Sequence, residues 1–320
     1  MSTSPFITGL PQCRNFPYHF DYYTVYAIIS ALYAIPSFVV TGFMIKFYFK
    51  KFQKSKKTLL RPEIFGSFLL MQVFHLIGLI FEFVTFRIPN TSILTAWCAY
   101  GSHDVLIRIS TYVFATCGHF KIFMAVLFCL LRVVYVFLDD EKIAKSIYYT
   151  SIPLSVLVSF SITFSILYEP VGCVQLKGPY PLGAVMMNTE LENRELPLYR
   201  KIESYVIPTV MTVLIILNVM AIWKIRQRNK IATSLNRTYN PKAERVLTVT
   251  MLLIVAPIII TELLITYEHF GVYVVSFFNA FRPILIDAKI HILTHYFYFT
   301  HPMFKVKVKV FNLETSVTKV

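Results

Sequence analysis

The chain has 320 residues, of which 56% are hydrophobic and only 15% are charged. Ordinary soluble domains are about 45–50% apolar and about 25% charged, so this composition argues against a soluble domain and indicates a membrane protein. The formal net charge of +14 would suggest a nucleic-acid partner in a soluble protein. In so apolar a chain it indicates orientation in the membrane instead, and we expect no nucleic-acid partner.

Seven apolar stretches are long enough to be transmembrane helices, because a helix needs about 20 mostly apolar residues to cross a hydrocarbon core of about 30 Å. They cover residues 22–45, 64–86, 106–137, 146–168, 204–223, 246–267 and 273–299. No cleavable signal sequence is recognisable before the first stretch, so we expect it to be a retained signal anchor. The prediction is an all-α membrane protein: a single seven-helix bundle over residues 1–320, with a short tail at 300–320.

The basic residues lie in alternate gaps between the predicted helices. Twenty-one lysines and arginines fall after the first, third and fifth helices and in the tail, counting Arg132 near the end of the third helix, whereas six fall before the first helix or after the second and fourth. Cytoplasmic loops of membrane proteins carry the excess of Lys and Arg. The distribution therefore predicts that the N-terminus is outside and that the C-terminus is cytoplasmic, with the lipid bilayer as a partner of the chain.

Two cysteines lie on the predicted outer side. Cys98 comes just before the third helix, and Cys173 lies in the long gap between the fourth and fifth helices. Disulfides persist in this oxidising compartment. We expect a Cys98–Cys173 bridge that ties the second outer loop to the top of the third helix, with Cys13 left as the odd cysteine.

Two sequences fit the N-glycosylation acceptor pattern, Asn90-Thr91-Ser92 and Asn236-Arg237-Thr238. Only Asn90 lies on the predicted outer side, so it is the candidate glycosylation site, and Asn236 is expected to carry no glycan.

Four ionisable residues in the outer halves of the predicted helices are candidates for a ligand pocket: Glu82, Arg108, Arg282 and Asp287. Such residues are costly in a bilayer and usually face the bundle interior. Glu82 and Arg108 can instead extend to the lipid headgroups. Arg282 and Asp287 lie deeper, and they are equally consistent with a structural ion pair and with a ligand site.

The seventh predicted helix also carries a polar seam. Asp287, His291 and His295 recur every four residues and share one helix face. A polar seam is the preferred interpretation over a metal site, since no supporting cysteine or carboxylate cluster is recognisable. We expect no metal, no cofactor and no catalytic residue, because the sequence has no nucleophile motif, phosphate loop or zinc-ligand pattern.

Several short motifs, taken in order, resemble the nematode serpentine receptors of class U. They are Arg87-Ile88-Pro89 leading to Trp97-Cys98-Ala99, Gly172-Cys173-Val174-Gln175-Leu176 with Pro179-Tyr180-Pro181-Leu182-Gly183-Ala184, and Thr300-His301-Pro302 with Phe304-Lys305. The resemblance covers most of the chain. It implies a seven-helix chemoreceptor that binds a small-molecule or peptide ligand and acts through a heterotrimeric G protein, at the plasma membrane or the cilium of a sensory neuron.

The chain departs from rhodopsin-like receptors at two switch motifs. Arg132 ends the third helix without a flanking acid or tyrosine, and the seventh helix has no Asn-Pro-x-x-Tyr. Glu244 begins the sixth helix on the same side of the membrane. We expect Arg132 and Glu244 to form a cytoplasmic switch, with Asp139, Asp140 and Glu141 as rival partners of the arginine.

Other functions remain open from the sequence alone. A seven-helix ligand-gated cation channel subunit is one alternative, but channels of that kind place the N-terminus inside, opposite to the charge distribution. A small transporter or an intramembrane enzyme is another. An enzyme is expected to place paired acids or a His/Asp cluster at matching depth, which the sequence does not offer convincingly.

Overall fold

The computed structural model describes residues 7, 11–52, 61–101, 104–138, 140–169, 171–189, 198–235, 241–266 and 272–304. These residues are mostly helical. The helices are α1 Pro11–Arg14, α2 Tyr22–Phe52, α3 Pro62–Glu82, α4 Ile88–Asn90, α5 Thr95–Tyr100, α6 Asp104–Phe137, α7 Glu141–Thr163, α8 Leu198–Leu235, α9 Pro241–Thr266 and α10 Val272–Thr300. The strands are β1 Val171–Gln175 and β2 Val185–Thr189. Asn236 and the tail from residue 305 lie outside the described residues.

Most of each predicted apolar stretch lies in one of the long helices α2, α3, α6, α7, α8, α9 and α10. Among the residues described, five helical segments are long and apolar enough to cross a membrane, at 22–50, 62–90, 105–137, 141–167 and 201–227. Helices α9 and α10 have comparable length, but parts of them carry side chains outside the description. The number of crossings and the domain bounds therefore stay predictions.

Local sequence signals account for the ends of several helices. Pro62 begins α3, where its missing N–H costs nothing because the first turn has no acceptor for it. Asp140 precedes α7, and its carboxylate accepts from the backbone N–H groups of Lys142 at 2.8 Å and Ile143 at 3.3 Å. Such a cap satisfies donors that the helix itself leaves unpaired.

Helix α6 is the centre of the bundle and packs against α3, α7 and α8, while α10 packs against α9 and α2. The main core is aromatic. Phe68 of α3 contacts Phe128 of α6 and Phe297 of α10, with ring centroids 5.9 and 4.2 Å apart. All three rings are fully buried, so they hold together the three helices that carry most of the candidate site residues.

The outer end of α3 continues as a π-helical turn, Phe83–Arg87, and then as α4. In a regular α-helix, residues five apart point about 140° away from each other. The wider turn, closed by hydrogen bonds between residues five apart, brings Glu82 and Arg87 to the same side. Their side chains are in contact at 3.2 Å.

The end of the bundle that the charge distribution predicts to be outer is covered by a β-hairpin. Strands β1 and β2 pair antiparallel with Cys173 opposite Met187, and the backbone N–H of Ile7 donates to the carbonyl of Cys173 at 3.0 Å. The predicted disulfide is confirmed: Cys98 and Cys173 are bonded, with their Cα atoms 5.9 Å apart. Since α5 carries Cys98, the bridge fixes the hairpin to the segment that leads into α6.

The turn of the hairpin packs against the N-terminal segment. Gly183 has φ +93°, a conformation that side-chain-bearing residues rarely adopt, and the ring of Phe16 occupies the space where a Cβ would stand. Cys13 is a buried free thiol in the apolar cluster around the disulfide. Burial raises the pKa of this thiol, which keeps it protonated and unreactive.

Candidate functional site

A buried ionic network joins α2, α3 and α10 at the end of the bundle that the hairpin covers, which is the predicted outer end. The guanidinium of Arg87 donates to both carboxylate oxygens of Asp287, at 2.8 and 2.7 Å, and to Glu82 at 3.2 Å. It also donates to the hydroxyl of Ser30 on α2, which in turn donates to Asp287. Arg87 is only 2% exposed, so one buried cation holds two carboxylates together.

Asp287 forms a buried ion pair whose partner the sequence interpretation missed. That partner is Arg87, which lies one residue beyond the predicted second helix. Glu82 does not extend to the headgroups, because it is 4% exposed and also contacts Arg87. The sequence held one signal for this network: Arg87 lies at the end of an apolar stretch, at a predicted membrane depth close to that of Glu82 and Asp287.

Arg282 lies in a different environment from Asp287. Its guanidinium carbon is 5.4 Å from the ring centroid of Phe86, in the π turn that follows α3, and 5.9 Å from that of Phe114 on α6. These are cation–π distances. Arg282 therefore connects α10 to α3 and α6 through aromatic rings, and in the described part of the chain no carboxylate lies within ion-pair distance of it.

A small cavity lies beside Arg282. Glu82, Phe86, Asn90, Arg282 and Pro283 line it. Its volume is about 10 Å³, close to the least space that holds one ordered water, about 10–15 Å³. A ligand larger than water therefore requires this site to open.

Tyr180 of the hairpin lies at the same end of the bundle. Its ring stacks on Tyr23 of α2 at 4.5 Å, and its hydroxyl accepts from the side-chain amide of Asn90, which lines the cavity, at 3.4 Å. Burial raises the pKa of the Tyr180 hydroxyl, so the phenol stays neutral. The covalently anchored hairpin is thus in direct contact with the lining of the cavity.

The contact between Asn90 and Tyr180 also bears on glycosylation. Asn90 is 7% exposed, and the atom that donates to Tyr180 is the nitrogen to which a glycan would be attached. In this structure Asn90 is therefore a polar lining residue of the cavity, and glycosylation at Asn90 stays a prediction.

Arg108 is not part of the cavity lining. Its guanidinium donates at 2.9 Å to the carbonyl of Leu167, at the end of the 3₁₀ turn that follows α7. Carbonyl groups at the C-terminal end of a helix have no N–H donor within the helix. Arg108 therefore ties α6 to the end of α7, which is a structural contact.

The polar seam on α10 faces α2. His291 contacts the hydroxyl of Ser37 at 3.3 Å and stacks on Tyr33 at 4.2 Å, and the rings of His291 and His295 are 3.9 Å apart. Together with the contact of Ser30 with Asp287, these interactions run down one interface between the two helices.

At the opposite end of the bundle, the structure brings Arg132 and Glu244 together. Arg132 of α6 is 1% exposed. It donates to the carboxylate of Glu244 on α9 at 2.9 Å and to the sulfur of Met251 at 2.7 Å. Of the rival partners, Asp140 caps α7 and Glu141 pairs with Lys145 at 2.6 Å, while Asp139 lies outside the described residues.

A second contact lies beside this pair. Tyr135, three residues after Arg132, donates its hydroxyl to Glu63 at the start of α3 at 2.9 Å. Glu63 is 4% exposed. Sequence reasoning did not single out either residue. The end of α6 is therefore tied to α9 by Arg132 and to α3 by Tyr135.

The fold and these two networks define a multi-pass helical membrane protein with a disulfide-anchored hairpin over one end of the bundle. The family model described as "Serpentine type 7TM GPCR chemoreceptor Sru" matches residues 7–307. Because the match covers nearly the whole chain, the protein belongs to this family of seven-transmembrane, G-protein-coupled-receptor-like chemoreceptors, as the sequence motifs predicted. A search of the curated proteins gave no significant match.

Proposed function

We propose that the protein is a seven-span chemosensory receptor with its N-terminus outside, and that it is not an enzyme. It binds a small-molecule or peptide ligand between the outer ends of α3, α6 and α10 and signals through a heterotrimeric G protein in the cytoplasm. Family membership and the bias of basic residues toward one set of gaps support this proposal. The plasma membrane, in the cilium of a sensory neuron, is the proposed location.

The observation that carries the proposal is the contact between Arg132 and Glu244. It joins α6 to α9 at the end of the bundle where the basic residues predict cytoplasm. The Arg132 side chain is buried, but that of Glu244 is 31% exposed. Because Glu244 is partly exposed and a glutamine there keeps an oxygen that accepts from Arg132, loss of the Glu244 charge is expected to cost about 0–1 kcal/mol, which biases a two-state equilibrium by up to about fivefold.

The proposed ligand site is the cavity beneath the hairpin. In the structure it is closed to anything larger than water, so ligand must displace Arg282 from Phe86 and Phe114 or move α10. Helix α10 packs against α9, which carries Glu244. A shift of α10 can therefore reach the Arg132–Glu244 pair through direct helix contact.

The experiment measures basal signalling of Glu244→Gln in cells that express a promiscuous G protein. We expect a rise of up to about fivefold at equal surface expression. Glu141→Gln is the matched control, because Glu141 contacts Arg61 and Lys145 instead of Arg132. Unchanged basal activity in Glu244→Gln would refute the switch.

Two further readouts test the receptor proposal itself. An N-terminal epitope tag should be accessible in intact cells and a C-terminal tag only after permeabilisation; the opposite result would favour the cation-channel alternative. A screen of ligand pools against the same cells should give at least one response that depends on the G protein. Ligand-evoked current without a G-protein response would overturn the proposal.

A further inference from the structure

The proposed ligand site, the cavity beneath the hairpin, is lined by two side chains of opposite charge. Glu82 lies at the end of α3 and Arg282 lies on α10, and both line the cavity. Ionisable groups in membrane helices usually pair with one another. Both of these side chains are described, and no ion pair joins them, because Arg282 lies against the rings of Phe86 and Phe114 instead. The cavity therefore separates a cation from a carboxylate.

The carboxylate side of the cavity is only partly neutralised. Arg87 is the cationic partner of Glu82 in the described part of the chain, but it is shared with Asp287. It donates to Asp287 twice, at 2.8 and 2.7 Å, and to Glu82 once, at 3.2 Å. One cation against two carboxylates leaves this network with one negative charge in excess. Charges interact strongly where little water is present, so Glu82 favours a cationic group on the ligand.

The opposite wall of the cavity favours an anionic group. A ligand larger than water must displace Arg282 from the two rings or move α10, and either change removes cation–π contacts from the guanidinium. A guanidinium matches a carboxylate well, because the two can form two parallel hydrogen bonds. A carboxylate on the ligand therefore replaces the contacts that Arg282 loses.

Asn90 adds a neutral acceptor to the same site. Its side-chain nitrogen donates to Tyr180, and it is 7% exposed. Within the residues that the structure describes, its Oδ1 atom has no hydrogen-bond partner. Buried acceptors rarely stay unpaired. Since the cavity measures only about 10 Å³, its lining side chains converge on one point, so Asn90 and Glu82 can both accept from one ammonium group, which has three donors.

We propose, on the basis of the proposed function, that the ligand is a small zwitterion with the ammonium and carboxylate groups of an α-amino acid. Arg282 binds the carboxylate, and Glu82 and Asn90 accept from the ammonium. Phe86 and Pro283 also line the cavity, and they select an apolar side chain. Glu82 repels a simple anion, Arg282 repels a simple cation, and a neutral ligand leaves both charges without a partner.

The first test needs no variant. Cells that express the receptor and a promiscuous G protein are kept in buffer free of amino acids and exposed to three matched pools. The pools are L-leucine, L-methionine and L-phenylalanine, their decarboxylated amines, and their deaminated carboxylic acids. The amino acids should act at concentrations at least about tenfold lower than the other two pools, since each of those lacks one charged contact. No response to the amino acids, or a response to the amines or acids at equal concentration, would overturn the assignment.

Thermal unfolding of the purified full-length receptor with the same pools separates binding from signalling, because a ligand that binds the folded state raises Tm. Stabilisation by the amino acids alone, without a G-protein response, would support the assignment and overturn the proposed function. A G-protein response to a pool without zwitterions, with no stabilisation by the amino acids, would overturn the assignment and leave the proposed function in place.

A charge-removing variant tests the role of Arg282. Arg282→Gln should raise the half-maximal concentration of L-phenylalanine at least about tenfold. It should change that of L-phenylalaninamide, which lacks the carboxylate, less than about threefold. Arg108→Gln is the matched control, because Arg108 donates to the carbonyl of Leu167 and does not line the cavity. An equal loss for both compounds in Arg282→Gln would show a structural role and refute the assignment.

A second variant covers the case in which Arg282→Gln does not reach the cell surface. Glu82→Gln removes the charge that faces the ammonium, so it should weaken the response to L-phenylalanine at least about tenfold. Its effect on N-acetyl-L-phenylalanine, which has no ammonium, should be less than about threefold. Equal half-maximal concentrations of L-phenylalanine in Glu82→Gln and the wild type would refute the assignment.

Discussion

Arg87 is expected to be the most sensitive position of the outer half of the bundle. It is the cation that Glu82 and Asp287 share, and all three side chains are largely buried. Arg87→Met removes the cation that both carboxylates contact and leaves two buried negative charges near each other. Breaking a buried pair by removing one partner costs about 3–5 kcal/mol, a large part of the 5–15 kcal/mol that typically stabilises a folded protein.

The two carboxylates should be less sensitive than the arginine. Asp287→Asn leaves Arg87 paired with Glu82, so the expected cost is that of a lost charge-assisted hydrogen bond, about 1.5–3 kcal/mol. Glu82→Gln should cost less again, because Glu82 accepts a single hydrogen bond from Arg87 at 3.2 Å, whereas Asp287 accepts two from Arg87 at 2.7 and 2.8 Å and another from Ser30. The predicted order of destabilisation is Arg87→Met, then Asp287→Asn, then Glu82→Gln.

The assay is surface biotinylation combined with thermal unfolding of the detergent-solubilised protein. Arg61→Met is the control for loss of an arginine, since Arg61 makes an exposed pair with Glu141 at 3.3 Å and should cost about 0–1 kcal/mol. The triple variant Arg87→Met, Glu82→Gln, Asp287→Asn removes all three charges and should recover part of the loss. Wild-type stability of Arg87→Met, or a triple variant less stable than Arg87→Met, would refute this reasoning.

Three further predictions concern other parts of the molecule. Cys98→Ser and Cys173→Ser should each reduce surface delivery, and the double variant should be no worse than either single one. Each of the three variants loses the same disulfide, which stabilises the fold by about 2–4 kcal/mol. Thiol labelling of both cysteines in surface protein would contradict this. Arg282→Ala should weaken the ligand response at near-normal surface expression, whereas an unchanged dose–response curve would exclude Arg282 from the ligand site. Burial lowers the pKa of His301 to about 4, below the usual value of about 6.5. The unfolded state therefore binds more protons, so the free energy of unfolding falls as pH drops from 6.5 toward 4, by up to about 1.4 kcal/mol per pH unit. His301→Gln should flatten this pH dependence, and an identical pH profile would show that another group is responsible.

The helices were predictable because each depends on a local signal. An apolar run of about 20 residues identifies a span wherever it occurs in the chain. The ends were less predictable: α8 runs from Leu198 to Leu235, well beyond the apolar stretch at 204–223. A helix continues into charged sequence at no great cost once its apolar part is anchored, so hydropathy locates the core of a helix and not its termini.

The partners of the charged residues were predictable only in part. Arg132 lies near the end of the third predicted helix, and Glu244 lies just before the sixth, on the same predicted side of the membrane. That placement was enough to suggest their contact. Asp287 and Arg87 are 200 residues apart, and their contact depends on the π turn after Glu82. A change in hydrogen-bond pattern at that turn rotates Arg87 into the bundle, and no residue type marks such a turn in a single sequence.

The two ends of the bundle must affect each other in both directions if the proposed function is correct. Ligand binding beside Arg282 and loss of the Arg132–Glu244 pair would favour the same rearrangement of α9 and α10, and such coupling is reciprocal. The apparent Kd of a ligand falls as the population of its binding-competent state rises. Glu244→Gln should therefore lower the ligand concentration for half-maximal response by the factor by which it raises basal activity, as long as that activity is far from saturation. A rise in basal activity without this shift would mean that Glu244 controls G-protein contact alone, and that the outer cavity and the cytoplasmic pair respond to separate equilibria.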